Sequence, residues 1–197
     1  ADKRLRDALA SYWTWTKRAL GALAAWGLIF SLVTISRLGV AFDYDEGLVS
    51  SAPAFRKALA GASQAFTPDF WSIVNQSYDL ERPKVISYSL AWAFRLFGFR
   101  VAILTSRPPI DAEALKKEWR HLVARGLFLF ADKVDGKRQH LQGGNYILYF
   151  ANADSDIEEA RKARIPAVRV RRGARSFLKD DYHPGKLGEW VIPWSEY

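Results

Sequence analysis

The sequence contains no cysteine and only three histidines in 197 residues. Without cysteine there is neither a disulfide framework nor a zinc site built on thiolates. The histidines, His121, His140 and His183, are scattered along the chain, and we interpret all three as structural. The motifs G-x-S-x-G, G-x-x-x-x-G-K-[ST] and G-x-G-x-x-G are missing as well. Serine-hydrolase, P-loop and dinucleotide-binding functions therefore have no support.

Acidic residues are in the minority, because 21 Asp and Glu stand against 29 Lys and Arg, which gives a net charge of +8. Part of the surplus is local: residues 161–179 carry eight Lys or Arg and no acid. Such a segment attracts phosphate groups on nucleic acid, on lipid or on a small substrate. A solvated face of the protein would have the same composition, so both interpretations stay open. The proportions of hydrophobic (49%) and charged (25%) residues are typical of a folded globular domain.

Long uncharged runs are rare, and the longest, residues 19–36, has the minimum length that crosses a bilayer. Gly21 and three hydroxyl residues dilute it, and an apolar segment typical of a core strand starts only a few residues later, at Gly39. We therefore do not favour a membrane anchor. The sequence begins with Ala1, as a mature protein does after signal-peptide removal, and this suggests a periplasmic or secreted protein.

The hydrophobic pattern predicts an α/β fold. Residues 3–25 are expected to form a helix, and residues 38–43 form an apolar run typical of a buried parallel strand. Residues 62–83 have no clear period and are interpreted as part of a small helical cap. Further helices are predicted at 53–60, 84–97, 111–126 and 156–163, and further strands at 100–105, 127–130, 145–150, 166–170 and 190–192.

Strands that alternate with helices indicate a doubly wound, mainly parallel sheet covered on both faces. We divide the chain into an N-terminal helical segment, 1–37, and a main domain, 38–197, with a cap insertion at about 50–83. In such sheets reactive groups gather at the carboxyl ends of the strands. Three of the predicted strands end in polar residues that are candidates for a catalytic or binding site.

The first of these strand ends carries Asp43 and Asp45, whose spacing aims both carboxylates the same way. The second carries Thr105 and Ser106, which suit a phosphate. The third, residues 152–156, offers oxygen ligands for a hard cation. Each motif alone is also typical of a turn or a helix cap, so their joint placement is the stronger signal.

The order and spacing of these motifs resemble the haloacid dehalogenase superfamily, and more closely the class B bacterial acid phosphatases. Residues 40–55 are similar to the family motif F-D-x-D-D-T with its following serine pair, proline and aromatic. Residues 105–107 resemble its T-G-R, residues 151–157 its G-D-S-D-N-D-I, and residues 188–197 its C-terminal end. The resemblance covers roughly residues 26–197. It departs from the family at Glu46-Gly47 (Asp-Thr in the family), Ser106 (Gly) and Asn152 (the metal-binding Asp).

The resemblance implies a Mg²⁺-dependent acid phosphatase that forms an aspartyl-phosphate. Asp43 would be the nucleophile, and Asp45 would protonate the leaving oxygen and later deprotonate the attacking water. Mg²⁺ would be held by the Asp43 carboxylate, the Asp45 carbonyl and residue 152, with Asp156 as a supporting partner. The remaining implied site residues bind phosphate (Thr105, Ser106, Lys137) or line the substrate pocket (Phe55, Trp71, Arg107).

The resemblance further implies small-molecule phosphomonoester substrates and a homotetramer. Transfer of the phosphoryl group to an alcohol instead of water stays open. The alternative from another class is a catalytically weakened relative that binds nucleic acid or another polyanion through residues 161–179. We do not favour it, because binding alone needs neither Asp43 nor Asp45.

Overall fold

A computed structural model describes residues 2–124, 126–131 and 136–197. Its main sheet has six strands in the order β5-β4-β1-β6-β7-β8, and every neighbouring pair is parallel. The predicted doubly wound α/β fold is confirmed. The main-sheet strands are β1 (Gly39–Asp43), β4 (Arg100–Thr105), β5 (Phe128–Phe130), β6 (Tyr146–Ala151), β7 (Ala167–Arg169) and β8 (Trp190–Val191), and the short strands β2 (Val49–Ser50) and β3 (Arg82–Pro83) pair antiparallel in a second sheet.

Strand β1 occupies the centre of the main sheet and is buried along its whole length. Its apolar sequence follows from this position, because both faces of a central parallel strand are covered by helices. On one face Phe42 stacks on Phe150 of β6, with ring centroids 4.6 Å apart. This packing holds the end of β1 in a fixed position relative to β6.

Seven α-helices connect and cover the strands within the described residues. They are α1 (Asp2–Ile35), α2 (Ala52–Gly61), α3 (Pro68–Gln76), α4 (Val85–Leu96), α5 (Glu113–Glu118), α6 (Gly136–Gly143) and α7 (Asp154–Lys162). Helix α5 is shorter than predicted and starts later. Asp111, the expected N-cap, instead has a left-handed backbone with φ 48°, and after Glu118 the chain continues as a 3₁₀ turn.

Helix α1 runs ten residues beyond the predicted end at residue 25, because neither proline nor charge interrupts residues 19–35. By length and composition, the part Arg6–Ile35 is long and apolar enough to cross a membrane, and hardly any of its most apolar stretch is buried against the rest of the protein. Near its end the helix contacts the main domain: the Trp26 indole donates to the Leu96 carbonyl oxygen at 3.1 Å.

Helices α2 and α3 form a small core of their own, made of Ala54, Phe55, Ala58, Phe70 and Val74. Helix α3 lies within residues 62–83, where the sequence showed no period, and it starts at a Thr67 cap followed by proline. These helices lie within the segment predicted as the cap. The division into domains stays a prediction.

Candidate active site

The site lies at the carboxyl end of β1, where the strand order switches between β4 on one side and β6 on the other. Side chains that follow these three strands meet there, as the rule for open α/β sheets predicts. A cavity of about 190 Å³ opens at this point. Among its lining residues are Asp43, Asp45, Lys137, Asn152 and Asp156.

Asp43, the last residue of β1, is almost fully buried at 3% exposure. Its Oδ1 accepts a hydrogen bond from Lys137 Nζ at 2.6 Å, and its Oδ2 accepts one from Asn152 Nδ2 at 2.5 Å. Burial raises the pKa of Asp43 to about 7, although the Lys137 charge opposes the rise. A buried carboxylate with one cationic partner at the base of a cavity is suited to attack an electrophile.

Lys137, in the first turn of α6, joins Asp43 to Asp156 of α7. Its Nζ lies 2.6 Å from Asp43 Oδ1 and 2.8 Å from Asp156 Oδ1. Burial works against the ammonium, but the two carboxylates hold the pKa of Lys137 well above its ordinary value. The lysine therefore stays cationic and is available to an anionic ligand in the cavity.

Asp45 is bound by a second cation. Arg107 Nη2 lies 2.6 Å from Asp45 Oδ1, and Arg107 Nε donates to both carboxylate oxygens at 3.0 and 3.1 Å. The Thr105 hydroxyl donates to Asp45 Oδ2 at 2.9 Å. Arg107 also pairs with Glu81, whose pKa burial raises to about 7 against the pull of Arg107. Thr105 and Arg107, expected to face substrate, are thus directed at Asp45, although Arg107 still lines the cavity.

The turn after Asp43 requires glycine at position 47. A Cβ atom there would lie 2.4 Å from the Asp43 carbonyl oxygen. That oxygen accepts the Leu48 N–H at 2.8 Å, which closes the turn. The departure from the family motif at this position therefore has a steric reason in this chain.

The apolar side of the cavity contains Phe55 and Trp71, as expected, and also Phe66 and Leu178. The Phe55 and Trp71 rings meet edge to face at 5.9 Å. Phe55 is 3% exposed and also belongs to the core of α2 and α3, so it fulfils a packing role in addition to lining the cavity. Ser106 lines the polar side.

Asn152 has its amide nitrogen directed at the other two groups that the resemblance assigns to Mg²⁺. Asn152 Nδ2 donates to Asp43 Oδ2 at 2.5 Å and to the Asp45 carbonyl oxygen at 2.6 Å, while Oδ1 accepts from Arg172 Nε at 2.5 Å. A metal ion needs oxygen lone pairs, and an N–H group has none. As arranged, this donor set does not fit Mg²⁺. Among the described residues no three His, Asp or Glu side chains form a metal-binding cluster either.

Sequence reasoning missed Arg172, Glu81, Phe66 and Leu178. Arg172 is one of eight basic residues in the run 161–179, and nothing in the sequence distinguished it from the other seven. Glu81 lies in the segment without a period. The roles of Arg172 and Glu81 depend on contacts with Asn152 and Arg107, which lie 20 and 26 positions away in the sequence. The one signal available in the sequence was that asparagine stands at position 152, where the family has an acid.

Comparison with solved structures identifies relatives of the fold. The fold resembles that of a predicted phosphoglycolate phosphatase from Haemophilus somnus 129PT, with a TM-score of 0.53, 14% identity, and coverage of 80% of this chain and 95% of that one. It also resembles a predicted phosphatase from Clostridium acetobutylicum, with a TM-score of 0.51, 12% identity, and coverage of 79% and 93%. The chain has the α/β fold of these two structures.

Comparison with curated proteins is more specific, although no family model matches the chain. A class B acid phosphatase from Salmonella typhimurium (strain LT2) is 30% identical over 174 residues, which cover 81% of this chain and 73% of the relative. One from Klebsiella pneumoniae (strain 342) is 29% identical over 181 residues, with 85% and 76% coverage. The chain belongs to the class B acid phosphatase family, and it is a phosphoric monoester hydrolase.

Proposed function

We propose that this protein hydrolyses small phosphomonoesters through an aspartyl-phosphate formed on Asp43. The observation that carries the proposal is the position of Asp43, a buried carboxylate at the base of the cavity with Lys137 Nζ 2.6 Å away. A small cavity with apolar rings on one side and cations on the other suits a compact phosphate ester.

In the first step an Asp43 oxygen attacks phosphorus, the bond from phosphorus to the ester oxygen breaks, and Asp45 gives its proton to the departing oxygen. In the second step water attacks the phosphoryl group and gives a proton to Asp45. The bond to Asp43 then breaks, which releases inorganic phosphate and restores the Asp43 carboxylate. Lys137 neutralises phosphate charge in both steps.

Asp45 must carry a proton at the start of this cycle, and Arg107 stabilises its anion. The proton-donating role therefore requires the ion pair between Arg107 and Asp45 to open when substrate binds. We propose that Ser106 contacts the phosphate, because it lines the cavity beside these two residues, and that Phe55 and Trp71 contact the organic group. Asp156 would orient Lys137 through their 2.8 Å contact.

Mg²⁺ dependence stays a prediction of the family resemblance. No step above passes through a metal, because the Asn152 amide does not offer the required oxygen. The proposed homotetramer and periplasmic or secreted location likewise follow from the resemblance. Cell fractionation and light scattering of the purified protein test these two points.

The polyanion-binding alternative gains little from the structure. In the basic run, Arg169 is fully buried and pairs with Asp154 at 2.8 Å and Glu189 at 2.6 Å. Arg172 lines the cavity. Part of the positive charge of residues 161–179 therefore lies in buried ion pairs or in the cavity.

The experiment is hydrolysis of p-nitrophenyl phosphate by the wild type, Asp43→Asn and the exposed control Asp69→Asn, each with and without added Mg²⁺. Asp43→Asn should reduce kcat by at least ~10³-fold, since it removes the nucleophile and hardly changes volume. Acid-quenched wild type should gain the mass of one phosphoryl group on the peptide that contains Asp43. Near-normal turnover by Asp43→Asn, or no wild-type hydrolysis under either condition, rejects the proposal.

A further inference from the structure

The side-chain amide of Asn152 fills the place that the family resemblance assigns to a metal ion, and Arg172 binds the oxygen of that amide. The Asn152 amide nitrogen lies 2.5 Å from Asp43 Oδ2 and 2.6 Å from the Asp45 carbonyl oxygen, so its two hydrogens satisfy both acceptors. These are the two oxygens between which the cation would lie. Asn152 is 1% exposed, so water does not compete for these bonds.

Arg172 fixes this orientation of the amide. Its Nε donates to Asn152 Oδ1 at 2.5 Å. If the amide turned over, its NH₂ group would face the Nε–H group, and two donors would oppose each other. Turning Asn152 towards a metal therefore breaks three hydrogen bonds and leaves buried groups unpaired, which is costly.

Arg172 is itself held from several sides and cannot easily withdraw. Its Nη1 donates to the Asp180 carbonyl oxygen at 2.6 Å, and its guanidinium lies 4.9 Å from the centre of the Tyr182 ring. On the neighbouring residue, the Arg171 carbonyl oxygen accepts from Lys84 Nζ at 2.6 Å, and the same ammonium donates to the Glu46 carbonyl oxygen at 2.5 Å. The backbone that carries Arg172 is thus tied to the loop that follows Asp43.

Arg172 lies at the reaction centre. It binds the Asn152 amide, whose nitrogen donates to Asp43, and it lines the same cavity as Asp43 and Lys137. An arginine in this position supplies permanent positive charge and N–H donors that match phosphate oxygens.

We propose that this enzyme works without a bound divalent cation, with Arg172 supplying the positive charge at phosphorus and the Asn152 amide holding Asp43 in place. The two chemical steps are unchanged: Asp43 displaces the ester oxygen from phosphorus, and water then displaces Asp43. This inference rests on the proposed function. Arg172 contacts the phosphate directly, whereas Asn152 is a positioning residue that acts through Asp43.

Two measurements on the full chain test the proposal: calorimetric titration with MgCl₂, and p-nitrophenyl phosphate hydrolysis after treatment with EDTA. We expect no Mg²⁺ binding and unchanged kcat/KM for the wild type. Asn152→Asp introduces a carboxylate between Asp43 and the Asp45 carbonyl, so it should bind Mg²⁺ and become sensitive to EDTA. Wild-type Mg²⁺ binding, or activity that is lost with EDTA and restored by Mg²⁺, overturns the proposal.

Arg172→Gln should lower kcat/KM by ~10²–10³-fold, the usual cost of losing one donor to a charged transition state. The matched control is Arg171→Gln, because Arg171 is exposed and contributes only its backbone to the contacts above. Equal activity of the two variants also overturns the proposal. The Mg²⁺ titration needs no turnover, so it decides the question even if Asp43 is not the nucleophile.

Discussion

The guanidinium of Arg107 holds the carboxylate of Asp45 from the side, with Nε 3.0 and 3.1 Å from its two oxygens and Nη2 2.6 Å from Oδ1. Arg107 is 1% exposed, and its Nη2 also pairs with Glu81. One cation thus serves two acids, and it lies over the rings of Tyr44 and Phe55 at 4.9 and 5.4 Å.

Arg107→Met should therefore destabilise the protein by ~3–5 kcal/mol, because it leaves two buried carboxylates without their cationic partner. Urea unfolding measures this loss. Adding Glu81→Gln to the same variant removes one of the two orphaned charges and should recover part of the stability. A double variant no more stable than Arg107→Met would show that Glu81 does not depend on Arg107.

Lys137→Met should reduce kcat/KM by at least ~10²-fold, since the variant loses the cation that neutralises both Asp43 and the incoming phosphate. Hydrolysis of p-nitrophenyl phosphate measures the effect. Lys116→Met is the control, because Lys116 pairs only with the exposed Glu113 in the described contacts with acids. If Lys137→Met keeps wild-type kcat/KM, Lys137 has no role in binding phosphate.

Lys84 gives a pH dependence of stability. Burial lowers its pKa to about 8 from 10.5. Between these values the unfolded chain keeps the proton and the folded protein releases it, so stability rises with pH across this window. The full shift corresponds to ~3 kcal/mol. Urea unfolding at several pH values should show this rise in the wild type and in Lys57→Met, an exposed control, but not in Lys84→Met. An identical pH slope in all three would contradict the assignment.

Two glycines with the same backbone conformation allow the stability cost of backbone strain to be measured separately from the cost of a packing clash. Gly98 and Gly126 have φ values of +87° and +84°. A Cβ on Gly98 would lie 2.8 Å from the Phe30 carbonyl oxygen of α1, whereas one on Gly126 meets nothing within 4 Å. Gly126→Ala should cost ~1 kcal/mol from the left-handed backbone alone. Gly98→Ala should cost a further ~1–3 kcal/mol from the clash. Equal losses in urea unfolding would mean that α1 does not rest on Gly98.

The sequence by itself determined that the protein has a parallel sheet and that its reactive side chains lie at the carboxyl ends of the strands. Apolar runs such as residues 38–43 mark buried strands locally, and alternation with helices leaves few topologies. Because parallel strands end at the same edge, the positions of Asp43, Thr105 and Asn152 in the sequence were enough to expect them at one site.

Only the tertiary structure decided which groups pair there. Arg107 meets Asp45 and Glu81, and Arg172 meets Asn152, through contacts between residues 20 to 62 positions apart. Helix α1 likewise continues to Ile35, although the sequence pattern suggested an earlier end. Periodicity records which face of an element is buried, but the direction of a polar side chain depends on which donors and acceptors the folded chain brings within 3 Å of it.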